Sequence, residues 1–274
     1  MGGYEQAALR QSDRAESCGA LVPLQTALEP EGAIDPFVLR RLLSETPKHR
    51  RREGPKPNPF LPWDPELEVD QLGSSHLLLL NKYPVQRGHL LLITQQWQPQ
   101  RGWLGRLDWQ ALAHVDQDSS GLWFFNSCAE AGASQPHRHL QLLPREPGEA
   151  PCPLDSHIEA QLSGDSAPWP WSYRVSRRRR AGAPESAEEL ESLYRSHCSA
   201  LGLGDPESDH EPKAPYNLLI TQQWVLSVLR LQEHWAGFSV NALGFAGYLL
   251  CTEHSDLPWL RQNGAWSLLE AVAQ

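Results

Sequence analysis

The heptapeptide L-L-I-T-Q-Q-W occurs twice in this chain, at residues 91–97 and again, letter for letter, at residues 218–224. Each copy opens on Leu-Leu-Ile, the composition of a buried strand, and closes on polar residues that leave it. A comparable pattern follows each: F-F-N-S-C-A-E-A-G around Asn126 and S-V-N-A-L-G-F-A-G around Asn241. Both halves therefore run strand, intervening segment, apolar-Asn, small-residue loop, strand. The pattern predicts two related units packed face to face, the second without the histidines of the first. The competing reading is a pair of unrelated but similar buried strands.

Working outward, residues 76–80 and 89–94 are apolar runs on either side of a K-Y-P-V-Q-R-G turn and read as paired strands. Residues 104–115 carry apolar side chains at helical spacing, and 122–125 and 140–143 read as strands flanking a loop of Gly, Ala and Ser. Residues 187–200 form the clearest amphipathic helix, acidic at its front and stopped by Gly202 and Gly204. Phe37, Val38, Leu42 and Leu43 suggest a short helix after a polar, weakly patterned start. The proline-rich stretch 54–65 reads as an ordered crossing loop, and 146–170 as a connection between halves or a long surface loop. The division expected is an extension over 1–57, a first half over 58–150, a linker with its helix over 151–213, and a second half over 214–274.

With 274 residues, 40% of them hydrophobic, the chain can bury a sizeable core. A net charge of -9 sets it against nucleic acid and anionic membranes, so any phosphate site has to be built locally. The basic runs 48–56 and 177–180 are candidates for such a site, with solvated loops the favoured reading. Five scattered cysteines without a C-x-x-C pair read as reduced thiols. No apolar run approaches the ~20 residues that cross a bilayer, and a cytoplasmic location is expected.

The run carrying chemistry is G-A-S-Q-P-H-R-H-L-Q-L-L-P at residues 132–144. If Pro136 opens a strand, His137, His139 and Gln141 project to one face, while Arg138, Leu140 and Leu142 project to the other. The loop before it, Gly132, Ala133 and Ser134, can offer backbone amides and a hydroxyl to an anion. Imidazole is substantially neutral near pH 7 and leaves readily from a phosphoramidate, so a nucleophile acting on phosphorus fits. Gln141 cannot move a proton in that range; its role is to donate to a phosphoryl oxygen or to hold the imidazole. A metal pair or a satisfied structural pair are the rival readings of His-x-His, although no cysteine or carboxylate within the run completes a metal set.

The runs L-L-L-L-N-K-Y-P-V at 77–85 and G-L-W-F-F-N-S-C-A-E-A-G-A-S-Q-P-H-R-H-L-Q-L-L-P at 121–144 resemble the diadenosine tetraphosphate phosphorylases. These enzymes, also called ATP adenylyltransferases, are a branch of the histidine-triad superfamily. A-P-Y-N-L-L-I-T-Q-Q-W at 214–224 and N-A-L-G-F-A-G at 241–247 look like the C-terminal part of that family, so the likeness spans about residues 58 to 252. The resemblance implies an α+β fold, a histidine-triad-like antiparallel sheet with helices on its outer face and two pseudo-repeated halves in one chain. It implies that His139 attacks the α-phosphorus of the dinucleotide and expels ATP, after which phosphate releases ADP.

On matching positions, Asn81 and Lys82 would contact the nucleotide, Asn126 its ribose or α-phosphate, and Gly132 to Gln135 the polyphosphate. Gln141 would brace the α-phosphate, with Asn241, Ala242 and Leu243 lining the far side of the pocket. Lys82 as a solvated turn lysine and Asn241 as a strand-end cap are the rival readings. Ser127, Ser134 and Lys82 are the candidates to hold the attacking phosphate, and magnesium is expected with the polyphosphate.

The chain departs from the family at Thr252, where a lysine is usual, and at Tyr248, where a small or flexible apolar residue is usual. Arg230, or a basic residue from 48–56, is the candidate replacement for that cation. Partners expected are a dinucleoside polyphosphate, ATP, ADP and inorganic phosphate, with no nucleic acid or membrane. A fused pair of units completes its sheet internally, which predicts a monomer. A nucleotidyl-hexose phosphorylase and a non-catalytic nucleotide sensor are the alternative functions.

Overall fold

The computed structural model describes residues 2–29, 34–44, 58, 60–145 and 148–274. In chain order these form α1 (Gly3–Ser17), β1 (Thr26–Leu28), β2 (Val38–Leu42), β3 (Glu68–Leu72), β4 (His76–Leu80) and β5 (Leu90–Thr94). Then come α2 (Arg106–Asp116), β6 (Gly121–Asn126), β7 (His139–Pro144), α3 (Asp155–Ser163), β8 (Tyr173–Arg177) and α4 (Ser186–Ala200). The remainder is β9 (Tyr216–Ile220), β10 (Trp224–Leu229), a small hairpin of β11 (His234–Trp235) and β12 (Phe238–Ser239), β13 (Tyr248–Cys251) and α5 (Leu257–Val272).

The expected strands and the helices at α2 and α4 are present, and the fold is α+β. Eight strands make one antiparallel sheet in the order β3-β4-β5-β7-β6-β9-β10-β8. Its central strands are buried on both faces, which is why β4, β5 and β9 read as continuous apolar runs instead of alternating ones. One face, carrying Leu78, Leu92, Leu140, Leu142, Trp123, Phe125, Leu218 and Ile220, packs on Ala8, Ala15, Trp109, Leu112, Leu190 and Tyr194 of α1, α2 and α4.

The opposite face is split in two. Leu77, Leu79, Leu91 and Ile93 lie under Phe60 and Trp63, whereas Phe124, Leu219, Leu226 and Val228 lie under Ile158 of α3 and Leu260, Leu268 and Leu269 of α5. His139 is paired with Ile93, and Gln141 with Leu91 and Phe124, so these two side chains share that second face and fall between its apolar clusters.

The two halves are not stacked face to face. They join edge to edge in the one sheet, through Trp123↔Ile220, Phe124↔Leu219, Phe125↔Leu218 and Asn126↔Asn217. Nor do the two heptapeptides occupy equivalent places. Leu91 and Ile93 face the second side of the sheet, while Leu218 and Ile220, at the same motif positions, face the helices. After β5 the first copy leaves the sheet and Trp97 is 53% exposed. After β9 the second copy turns on Thr221, whose Oγ1 accepts from the amides of Gln223 and Trp224. Trp224 then starts β10, fully buried, with Nε1 donating to Asp155 at 2.8 Å.

Four local expectations are revised. Residues 3–17 are helical, and α1 is part of the core: Glu5, 2% exposed, accepts from the amide and hydroxyl of Ser120. The segment around Phe37 is not a helix but strand β2, held antiparallel to β1 and parallel to β13. The connection 146–170 contains α3. Within the basic run 177–180, Arg178 is buried in an ion pair with Asp116 at 2.9 Å. The run 48–56 and most of 54–59 lie outside the described residues.

The unequal fates of one heptapeptide are open to measurement. Trp224→Ala removes a fully buried indole and should cost about 3–5 kcal/mol of unfolding free energy, against less than about 0.5 kcal/mol for Trp97→Ala. Urea denaturation of the two variants checks this, and equal losses would contradict the difference in burial.

Candidate functional site

The site begins where the β6–β7 ladder ends. Regular pairing stops at Phe124↔Gln141, and the buried side chain of Gln100 bridges the strands beyond it. Its Oε1 accepts from the amide of His139 at 2.8 Å, and its Nε2 donates to the carbonyls of Asn126 at 2.6 Å and His139 at 3.2 Å. One side chain thus satisfies backbone groups that the opening strands release.

The ring of His139 is 3% exposed, with Phe60 packed edge-on at 5.4 Å. Its Nδ1 lies 2.8 Å from the carbonyl oxygen of His137. A carbonyl only accepts, so Nδ1 carries the proton and Nε2 keeps its lone pair. Burial pushes the imidazole pKa down to about 4, outweighing the opposing effect of that hydrogen bond. At neutral pH His139 is therefore an uncharged ring. Among the described residues its Nε2 has no hydrogen-bond partner, and it is not among the sealed side-chain atoms that lack one.

His137 is on the same face, as alternation requires, but its ring is spent. It is fully buried, with Nε2 2.9 Å from both the carbonyl and Oγ1 of Thr94 and Nδ1 3.0 Å from Asn58. Burial also lowers its pKa. The part of His137 that reaches His139 is the backbone carbonyl.

Gln141 and Asn126 have the same design: the side-chain oxygen is occupied, and the NH2 group has no partner among the described residues. Gln141 Oε1 lies 3.1 Å from His89 Nε2. Asn126 Oδ1 accepts from Asn217 Nδ2 at 2.8 Å and from the amide of Ala242 at 2.9 Å. Asn217 is held in turn by Arg230, whose five N–H groups go to Asn217 Oδ1 and the carbonyls of Ala131, Val240, Gln232 and Val272. Arg230 is 1% exposed and is not available as the substitute cation for a phosphate. Its pKa falls to about 10 through burial, so it stays charged at neutral pH.

The small-residue loop meets the second half at Asn241. Gly132 has φ 90°, and a Cβ there would stand 2.6 Å from Asn241 Cβ, so the close approach needs glycine. Asn241 caps the 3-10 turn at Ala242–Ala246 through Leu243. The amide of Ala133 is consumed by Cys128, while Ser134 and Gln135 have no hydrogen bond among the described residues.

Ser127 does not face this site. Its Oγ accepts from the amide of Tyr216, because it lies one residue out of phase with Asn126. Lys82 is on an exposed turn, 3.9 Å from Asp64, and Asn81 donates to His89. Tyr248 bonds Arg145 through its hydroxyl, with the guanidinium 5.1 Å over its ring.

His89, Gln100, Asn217 and Arg230 complete the arrangement. Among them only Arg230 was legible as a functional candidate, and for a different task. A polar residue opening an otherwise apolar strand was the available signal for His89; nothing local marks Gln100. Among the described residues, no group of three His, Cys, Asp or Glu side chains is placed to hold a metal ion. Nor, among those residues, is any helix long and apolar enough to cross a membrane.

The buried imidazoles make stability depend on pH. His89, His139 and His197 are all held near pKa 4 by burial, whereas an unfolded chain protonates histidine near 6.5. Unfolding then takes up protons between these values, so stability is greatest above pH 6.5 and falls as the pH drops toward 4. Each imidazole should contribute a slope of up to ~1.4 kcal/mol per pH unit. His139→Gln should flatten the slope by one proton in urea titrations run at stepped pH; an unchanged slope would mean that the ring is not held neutral.

Comparison with known proteins bears on the family and the fold. Residues 2–160 match the Ap4A phosphorylase N-terminal domain and residues 167–274 the ATP adenylyltransferase C-terminal domain. Diadenosine 5',5'''-P1,P4-tetraphosphate phosphorylase 2 of Saccharomyces cerevisiae is 26% identical over 237 residues, covering 75% of this chain and 72% of that protein. Protein APA1 of the same yeast is 27% identical over 203 residues, 64% and 61% of the two chains. The crystal structure of yeast Ap4A phosphorylase Apa2 superposes with a TM-score of 0.72 at 21% identity, covering 96% of this chain and 94% of that one. The same protein in complex with Ap4A gives 0.71 at 20% identity. With both of its domain families matched in order along the chain, the protein belongs to the Ap4A phosphorylase family of adenylyl-transferring enzymes.

Proposed function

We propose that this chain phosphorolyses diadenosine tetraphosphate to ATP and ADP, and runs the reverse adenylyl transfer, through an adenylyl group carried on His139. The observation supporting the reading is the state of that ring: neutral, Nδ1–H engaged by a carbonyl, and Nε2 without a partner among the described residues, on the sheet face that also carries the Gln141 side chain. In the first step Nε2 bonds to the α-phosphorus, the phosphorus–oxygen bond to the outgoing chain breaks, and ATP departs as an anion. No proton has to follow it, because a polyphosphate is a weakly basic leaving group. Positive charge grows on the imidazole, and the His137 carbonyl, already at 2.8 Å from Nδ1, stabilises it without rearrangement.

The NH2 groups of Gln141 and Asn126 donate to the phosphoryl oxygens in the same step, with Ser134 and Gln135 as further donors to the chain. In the second step an oxygen of inorganic phosphate bonds to the α-phosphorus, the phosphorus–nitrogen bond breaks, ADP is released and the neutral ring returns. The polyphosphate brings magnesium in this reading, held by its own oxygens; no group of protein ligands for the ion stands among the described residues, and no step is assigned to it. A monomer is consistent with β6–β9 pairing, which completes the sheet within one chain. The cytoplasm is the expected location.

Incubation with labelled diadenosine tetraphosphate in the absence of phosphate, followed by quenching and peptide mapping, should find an acid-labile AMP on the peptide that contains His139. His139→Ala should abolish both the adduct and phosphorolysis, a loss of at least about 1,000-fold. A variant that turns over normally rules out the covalent route, and preference for GDP-hexose over diadenosine tetraphosphate rules out the substrate.

A further inference from the structure

The two ends of a carboxamide are nearly the same size and differ in hydrogen bonding: oxygen accepts and NH2 donates. A phosphoryl oxygen needs the NH2 end, so something must decide which end of Gln141 faces the phosphorus. The residue touching its oxygen is His89. That residue immediately precedes β5, is 8% exposed and packs its ring 5.8 Å from that of Phe124. Its Nε2 is 3.1 Å from Gln141 Oε1, and its Nδ1 is 3.1 Å from Asn81 Nδ2.

The direction of every bond in this row is set by the one before it. Asn81 Oδ1 accepts from the backbone amide of Tyr83 at 3.0 Å, which turns the Asn81 NH2 toward His89. Facing a donor, His89 Nδ1 has to accept, and the single proton of the neutral ring is left on Nε2. That proton goes to Gln141 and takes its oxygen. The NH2 end of Gln141 then has no partner among the described residues and points away from His89. Burial supports the same outcome by keeping the imidazole uncharged, with its pKa pushed down to about 4 and the His139 ring adding to the shift. A charged ring would place a second N–H against the Asn81 NH2.

We propose that His89 is a positioning residue for adenylyl transfer, fixing the Gln141 carboxamide with its NH2 toward the α-phosphate and acting on the reaction only through Gln141. The proposal rests on the reading of Gln141 as a phosphoryl donor, and a double-variant cycle separates the two. The assay is phosphate-dependent turnover of diadenosine tetraphosphate by the full-length enzyme. Gln141→Ala should lower kcat by about 100-fold, the usual effect of losing one preorganised donor.

His89→Leu keeps an apolar filler but no donor. It should lower kcat by about 10-fold or more with KM within about threefold, since the donation matters most in the transition state. His89→Gln, whose terminal amide can donate from the position of Nε2, should restore most of kcat. Adding His89→Leu to Gln141→Ala should change kcat by less than about twofold. The proposal is overturned if His89→Leu turns over like wild type, if His89→Gln is as slow as His89→Leu, or if the two losses multiply in the double variant. Gln141→Ala at wild-type speed would remove the donor reading itself and the proposal with it.

Discussion

The pairing of Asn126 with Asn217 is the constraint on which the rest of the site depends. It is the last pair of the β6–β9 ladder, the seam where the two halves of the chain become one sheet. The backbone pairing sets the two side chains beside one another on the same face, and the Asn217 NH2 bonds the Asn126 oxygen at 2.8 Å. The amide of Ala242, from the turn that Asn241 caps, takes the same oxygen. A donor from the first half is thereby oriented by two groups of the second. Neither half alone has it.

The same economy repeats across the site. Gln141 and Asn126 are uncharged, and each has its oxygen tied to a fixed donor so that only NH2 is left to offer. Behind Asn126 the last donor is Arg230, a buried cation whose hydrogen bonds all go to carbonyl-type oxygens. Carbonyl dipoles solvate that charge without cancelling it, so a positive potential persists in a low-dielectric region behind the site. Behind Gln141 the chain ends on a neutral imidazole and a backbone amide. One donor is backed by charge and the other is not.

The sequence carried the apolar runs of β4, β5 and β9, the amphipathic helices α2 and α4, and the face shared by His137, His139 and Gln141, because each depends on local periodicity. What it did not show depends on partners far along the chain. The inner face of α1 is built from Glu5, Ala8, Ser12 and Ala15, all buried. Two alanines, a serine and an acid make no hydrophobic stripe; the helix buries them because Ser120 satisfies Glu5. At β2 the tie to β13 lies some two hundred residues away, and it overrides whatever preference Phe37 to Leu43 have alone. Ser127 looked like a phosphate donor by composition, and strand parity places its hydroxyl against Tyr216 instead. Gln100 stands in a loop with no period at all, and only the gap between β6 and β7 gives it a task.

A chain of net charge -9 that handles a polyphosphate meets an electrostatic conflict. Surface lysines would ease capture but bind ATP, ADP and the dinucleotide alike, since each presents phosphates to them. Neutral NH2 donors aimed at one phosphorus do something different: they gain most where charge accumulates during transfer and comparatively little from phosphates elsewhere. Thr252 fits that division, because its backbone amide is bonded to Ser255 and its side chain brings no charge. With Arg230 sealed behind Asn126 and an uncharged side chain at Thr252, the proposed reaction draws, among the described residues, on the NH2 groups of Gln141 and Asn126, and it draws on them at the α-phosphorus that His139 Nε2 would attack.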